Sequence, residues 1–140
     1  MANPIIVEKV IKAPAAKVWA ALTDEAQMRK WYFDVSAFKP EVGFEFTFEG
    51  RNKDLVYHHL CRVTEVVPLQ RLSYSWRYQG YPGDSLVTIE LFDEGDATRV
   101  KLTHTGLETF PDTPNRDFAR ENFEMGWNAI IGKNLPAFVE

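Results

Sequence analysis

From residue 43 to residue 106 the chain returns an apolar side chain at almost every second position, in five successive stretches. GFEFTFEG sets Phe44, Phe46 and Phe48 against Glu45, Thr47 and Glu49, and LVYHHLCRVTEVV follows as a longer run. RLSYSWRY sets Leu72, Tyr74, Trp76 and Tyr78 against Ser73, Ser75 and Arg77. SLVTIELFDEG opposes Val87, Ile89 and Leu91 to Thr88 and Glu90, and ATRVKLTHTG opposes Val100, Leu102 and His104 to Arg99, Lys101 and Thr103. A period of two sends alternate side chains to opposite faces of an extended chain, so each stretch is wet on one side and apolar on the other. The pattern predicts an antiparallel meander with one buried face. Turn chemistry separates the strands at Gly50-Arg51-Asn52, Val67-Pro68, Tyr81-Pro82-Gly83 and Asp93-Glu94-Gly95-Asp96.

A sheet with one apolar face needs a cover. Residues 5–12, IIVEKVIK, read as a further strand at the front. Pro14 suits a first helical position, and AAKVWAAL then puts Val18, Trp19 and Leu22 on one side. Asp24-Glu25-Ala26-Gln27 has the spacing of a capping box and opens a second short helix through Met28 and Trp31. After the helix-start signal Pro111-Asp112-Thr113-Pro114 the period returns to 3.6 until the end. In NFEMGWNAIIGKNLPAFVE, residues Phe123, Trp127, Ile130, Ile131, Leu135 and Phe138 form one wide face, with Asn134 in or beside it. The expected order is strand, two short helices, five strands, long helix: an α+β fold in which a curved antiparallel sheet wraps that last helix. Burying Trp127 alone contributes roughly 4–6 kcal/mol gross, from ~150–250 Å² at ~25 cal/mol per Å². One helix does not easily fill a strongly curved sheet, so an interior pocket is expected, with Asn134 as a polar group in it.

The 140 residues suit a single domain, 1–140, with no repeat or linker. The net charge is −4 and no basic stripe is visible, so nucleic acid is not an expected partner. No apolar run approaches the ~20 residues that cross a bilayer. Charges interrupt MANPIIVEKVIKAPA, which does not read as a secretory signal, and the lone Cys61 fits a reducing compartment. A cytoplasmic location is the expectation, with no membrane partner.

Several residues invite a chemical reading. His58 and His59 adjoin on one strand and point to opposite faces, so one inside and one outside is favoured over a shared metal ion. Tyr57, His59 and Cys61 are assigned to the inner row with Leu55 and Val63, because the opposite row would bury Arg62. His104 lies on an apolar row, as a satisfied core or rim histidine or as a ligand contact. Cys61 sits among apolar neighbours as an inert thiol rather than a nucleophile. No G-x-S-x-G, H-E-x-x-H, C-x-x-C, Walker or dinucleotide glycine pattern occurs, so neither a catalytic group, a metal nor a cofactor is assigned. Asp93-Glu94 and Asp112 fall in turns, where solvation accounts for them, and Tyr81 is read as part of an ordinary turn.

The stretches KAPAAKVWAALTDEAQMRKWY, VGFEFTF, RVTEVVPLQRLSYSW, ATRVKLTHTGL and FEMGWNAIIGKNLPAF resemble the START-like superfamily and, within it, the family of activator of heat-shock protein 90 ATPase homologues. The similarity spans almost the whole chain; one departure is Val42-Gly43, where the family usually has a glycine pair. The resemblance implies a helix-grip fold and a single-domain cavity protein of the bacterial type. It also implies that the segment of Trp31, Tyr32 and Phe33 edges the cavity mouth, where the three rings either gate it or simply pack on the sheet end.

The expected activity is non-catalytic binding of a small hydrophobic or aromatic molecule between the sheet and the last helix. Phe123, Trp127, Ile130 and Asn134 are assigned to the helix wall. Phe46, Tyr57, His59, Tyr74, Trp76 and His104 are assigned to the sheet wall and its polar handles. The alternatives are a chaperone-associated interaction module and a cyclase- or hydrolase-like enzyme in which His104 or His59 acts on a bound ligand.

Overall fold

The computed structural model describes residues 4–52, 55–111 and 118–140. Six strands form one antiparallel sheet: β1 (Ile5–Ile11), β2 (Glu45–Asn52), β3 (Leu55–Val67), β4 (Arg71–Tyr78), β5 (Ser85–Asp93) and β6 (Thr98–Thr105). Their order is β1-β6-β5-β4-β3-β2, so the five later strands form a continuous meander and β1 closes the β6 edge. The alternation of the sequence becomes the alternation of burial. Phe46 and Phe48, then Tyr57, His59, Cys61 and Val63, then Tyr74, Trp76 and Tyr78, are all buried on the inner face. Register places them side by side, with Phe46 against Cys61, Phe48 against His59, Cys61 against Trp76 and His59 against Tyr78. Two expectations change here. Gly50, Arg51 and Asn52 continue β2 rather than turn, pairing with Tyr57, Val56 and Leu55. Leu55, at the start of β3, is exposed although it shares the inner parity.

Two short helices, α1 (Ala15–Thr23) and α2 (Glu25–Trp31), follow β1. Pro14 occupies the cap position just before α1 rather than its first turn. Asp24 caps α2 by accepting from the Ala26 N–H. Gln27 reaches back to the Asp24 carboxylate, 3.2 Å away, rather than to the backbone as a full capping box would. Trp31 donates its indole N–H to the Ala21 carbonyl at 2.8 Å and so locks the two helices together.

The C-terminal rod is α3 (Arg120–Ala129), one π-helical turn (Ile130–Asn134) and α4 (Leu135–Val139). Of the helix-start signal, residues 112–114 lie outside those described. Phe123, Trp127, Ile131, Leu135 and Val139 are its buried row. A spacing of four would drift around a regular α-helix, which has 3.6 residues per turn. The wide turn holds an additional residue and corrects that drift. Pro136, which has no N–H to give the helical ladder, follows directly. The wide turn also overturns one expectation: Asn134 is carried to the exposed side and Leu135 takes the inward position, so Asn134 is not a pocket group.

Candidate ligand-binding cleft

The rod is fastened to one side of the sheet. Arg120 donates to the Pro4 carbonyl at 3.1 Å at one end, and the Lys12 N–H donates to the Glu140 carboxylate at 2.9 Å at the other. In the middle, Trp127 binds His104 on β6 and packs edge-on to Trp76 on β4, ring centres 5.2 Å apart. At the α3 end, among the described residues, a gap separates the helix from the far strands β2 and β3. The result is an open cleft of about 550 Å³. Its sheet wall is Gly50, Tyr57, His59 and Tyr78, and its helix wall is Asn122, Met125, Gly126 and Ala129, with Phe33 and Phe118 at the margins. A branch of about 180 Å³ continues inward past Gly126 to Trp76, Phe123, Trp127 and Ile130. The volume suits a small organic molecule, since ligand pockets commonly hold roughly 300–1,000 Å³.

His59 is a polar group held firmly at this surface. Its ring stacks on Phe48 at 4.3 Å and 15° and meets Trp76 and Tyr78 edge-on at 4.9 and 4.7 Å. The imidazole has room because residue 50 is glycine: a Cβ there would stand 2.8 Å from His59 Cε1. Nδ1 lies 3.1 Å from the Tyr57 carbonyl, which only accepts, so Nδ1 carries the hydrogen and Nε2 the lone pair. Burial lowers the His59 pKa to about 4, against a smaller opposing effect of the Tyr57 and Phe48 carbonyls. The ring is therefore neutral at neutral pH. Its sequence neighbour His58 faces outward, 3.6 Å from the Glu49 carboxylate.

His104 is a different kind of histidine. It is completely buried and both its nitrogens are taken by the protein. The Trp127 indole N–H donates to Nδ1 at 2.9 Å, which fixes the hydrogen on Nε2. Nε2 donates to Ser85 Oγ at 2.8 Å, and Ser85 donates to the Trp76 carbonyl at 2.6 Å. This one-way relay ties α3 to β6, β5 and β4. Burial lowers the His104 pKa to about 3. Protonating Nδ1 would also set two N–H groups face to face. His104 does not line the cleft, and it has no lone pair left for a ligand or a proton.

The remaining expected residues divide in the same way. Tyr57 and His59 line the main cleft, and Trp76, Phe123, Trp127 and Ile130 line its inner branch. Phe46 is buried among Phe38, Phe48 and Tyr74, away from both spaces. Tyr74 is sealed beneath the helices, sharing a 2.7 Å hydrogen bond with the Tyr32 hydroxyl, and burial pushes both phenols upward in pKa. Of the three gate candidates only Phe33 stands at the mouth, stacked on Phe48 at 4.3 Å; Trp31 and Tyr32 pack inward. Tyr78, Phe118, Asn122, Met125, Gly126, Ala129 and Gly50 line the cleft without being among the expected residues. Tyr78 had the row of Tyr74 and Trp76 to point to it, and Gly126 and Ala129 are small residues three apart on the helix.

Cys61 is buried, and burial pushes its thiol up, away from the nucleophilic thiolate. Among the described residues no three His, Cys, Asp or Glu side chains gather as a metal site, and no helix is long and apolar enough to cross a membrane. The family model of Activator of Hsp90 ATPase homolog 1-like proteins matches residues 12–140. The chain belongs to this family. Solved structures agree on the helix-grip architecture. Protein CV1439 of Chromobacterium violaceum is 28% identical, with a TM-score of 0.82 over 100% of this chain and 99% of that one. Protein MLL2253 of Mesorhizobium loti is 26% identical, with a TM-score of 0.77 over 97% and 96%. CalU16 of Micromonospora echinospora is 26% identical, with a TM-score of 0.75 over 98% of this chain and 76% of that one. No curated protein matches the chain.

Proposed function

We propose that the protein binds a small apolar or aromatic molecule, without transforming it, in the cleft between α3 and strands β2 to β4. The observation that carries this reading is the helix wall. At Gly126 the backbone leaves open space where a Cβ would stand, opposite a sheet wall of buried aromatic rings. Interiors are ordinarily close-packed, and an open apolar cleft beside a filled core is the usual form of a ligand site. The saturated state of His104 supports binding over acid–base chemistry, and a His59 held neutral down to about pH 4 is a weak base.

Gly126→Leu tests the reading without threatening the fold. Glycine costs a helix interior about 0.8–1 kcal/mol relative to the best helix formers, so the variant should unfold at equal or higher urea concentration. Its side chain would occupy the passage between the cleft and its inner branch. Wild-type protein should enhance the fluorescence of N-phenyl-1-naphthylamine, a neutral aromatic dye, and the variant should lose at least about tenfold in affinity, a cost of ~1.4 kcal/mol. Equal binding by the two folded proteins would show that the dye sits elsewhere.

A further inference from the structure

We propose that the cleft selects uncharged aromatic molecules that present a hydrogen-bond donor, a phenolic hydroxyl or a ring N–H, to Nε2 of His59. This inference rests on the cleft being the ligand site and adds the polarity of what it accepts. The direction follows from the imidazole's surroundings. The carbonyls of Tyr57 and Phe48 lie beside the ring, and both accept hydrogen bonds. Nδ1–H answers the Tyr57 carbonyl, and no described N–H or O–H donates to the ring in return. No buried side-chain nitrogen or oxygen among the described residues lacks a partner, so Nε2 is not sealed in the core; its residue opens on the cleft. A fixed acceptor in an apolar wall discriminates strongly, because a guest without a donor leaves it desolvated and unpaired.

The rest of the wall limits the guest's shape and charge. Tyr57, Tyr78 and Phe118 meet one another through ring contacts of 4.7 to 5.9 Å, and opposite them the helix offers only Gly126 and Ala129 at its centre. Such a slot favours a flat ring system. Among the described lining residues there is no lysine or arginine to hold an anion. The groove on the other side of Phe33 and Gly50 carries Asp34 and Glu49, which further disfavours negative charge.

Titration calorimetry at neutral pH with three ligands of one ring size decides the matter. 2-Naphthol carries a donor, 2-methylnaphthalene has a group of similar size without one, and 2-naphthoate is an anion. The expected result is 2-naphthol binding roughly tenfold tighter than 2-methylnaphthalene, in keeping with one buried hydrogen bond, and 2-naphthoate weakest. In His59→Phe, which keeps a flat ring on Phe48 and removes the acceptor, the preference for 2-naphthol should vanish while 2-methylnaphthalene still binds. The wild-type series stands even if that variant does not fold. Equal or tighter binding of 2-methylnaphthalene, or a preference for 2-naphthoate, would overturn the donor rule and leave the cleft as a ligand site. Failure of all three to bind would overturn both readings.

Discussion

Two buried histidines that look alike in the sequence, each on an apolar row of a strand, do different work. His104 spends both nitrogens inside the protein, whereas His59 pairs its Nδ1 with the Tyr57 carbonyl and lines the cleft. Alternation alone puts both on inner rows, because it decides which face a strand residue takes. It could not show that Trp127, 23 residues further on, would reach His104, since that depends on where a helix lands on a sheet. Both rings have a folded pKa below the ordinary value of 6.5, about 4 for His59 and about 3 for His104. The unfolded chain therefore takes up protons on these residues before the folded one does. Their contribution to stability is complete above pH 6.5 and is lost as pH falls, through about pH 4 for one and about pH 3 for the other. Each contributes a slope of about 1.4 kcal/mol per pH unit in its window. Urea unfolding between pH 6.5 and 4 should show this decline, and His104→Asn, which retains an acceptor for the indole, should remove about half of the histidine part of the slope. An unchanged slope in that variant would mean that His104 titrates normally in the folded state.

At the scale of elements, the six strands, α1, α2 and the C-terminal rod are legible in periodicity, and the departures lie at junctions and within the rod. β2 runs on through Gly50 because a residue without a side chain is needed beside His59, so the glycine that reads as a turn is a packing requirement. The last helix was legible as a rod but not in its phase, because the π-helical turn before Pro136 resets which residues face inward. Asn134 faces outward for that reason, and Gly126 and Ala129 are not legible as a wall because a pattern of apolar residues does not register an absence of bulk. The connection between β4 and β5 did declare itself, through Tyr81-Pro82-Gly83. Gly83 has φ +113° and lies against the 3₁₀ turn Leu107–Thr109, where a Cβ would come within 2.6 Å of the Phe110 ring and 2.7 Å of the Thr109 carbonyl. Thr109 in turn accepts from the Asp84 N–H at 2.9 Å, fixing the approach. Gly83→Ala should therefore cost about 3 kcal/mol, combining backbone strain with overpacking. The check is the urea midpoint at unchanged m-value; a loss below roughly 1 kcal/mol would mean the loop simply moves away.

At the scale of the whole molecule, the decisive feature is asymmetry. The rod is pinned at both ends beside β1 and in the middle to β6, and the sheet curves beyond its reach at β2 and β3. Beneath α1 and α2 the core is nearly filled: the enclosed space beside Tyr32, Tyr74 and Ile131 is about 10 Å³. Space of ligand size opens on the side the rod leaves bare. Curvature and helix placement are properties of the assembled fold, so the place where such a cleft opens is not legible in periodicity alone. The cleft is a binding site only if a guest enters there. Amide chemical-shift mapping with 2-naphthol asks this directly: the largest changes should fall on Phe33, Gly50, His59, Gly126 and Ala129, with Leu86 and Lys101 on the outer sheet face unmoved. Changes confined to the outer face, with Gly126 and His59 silent at saturation, would contradict it.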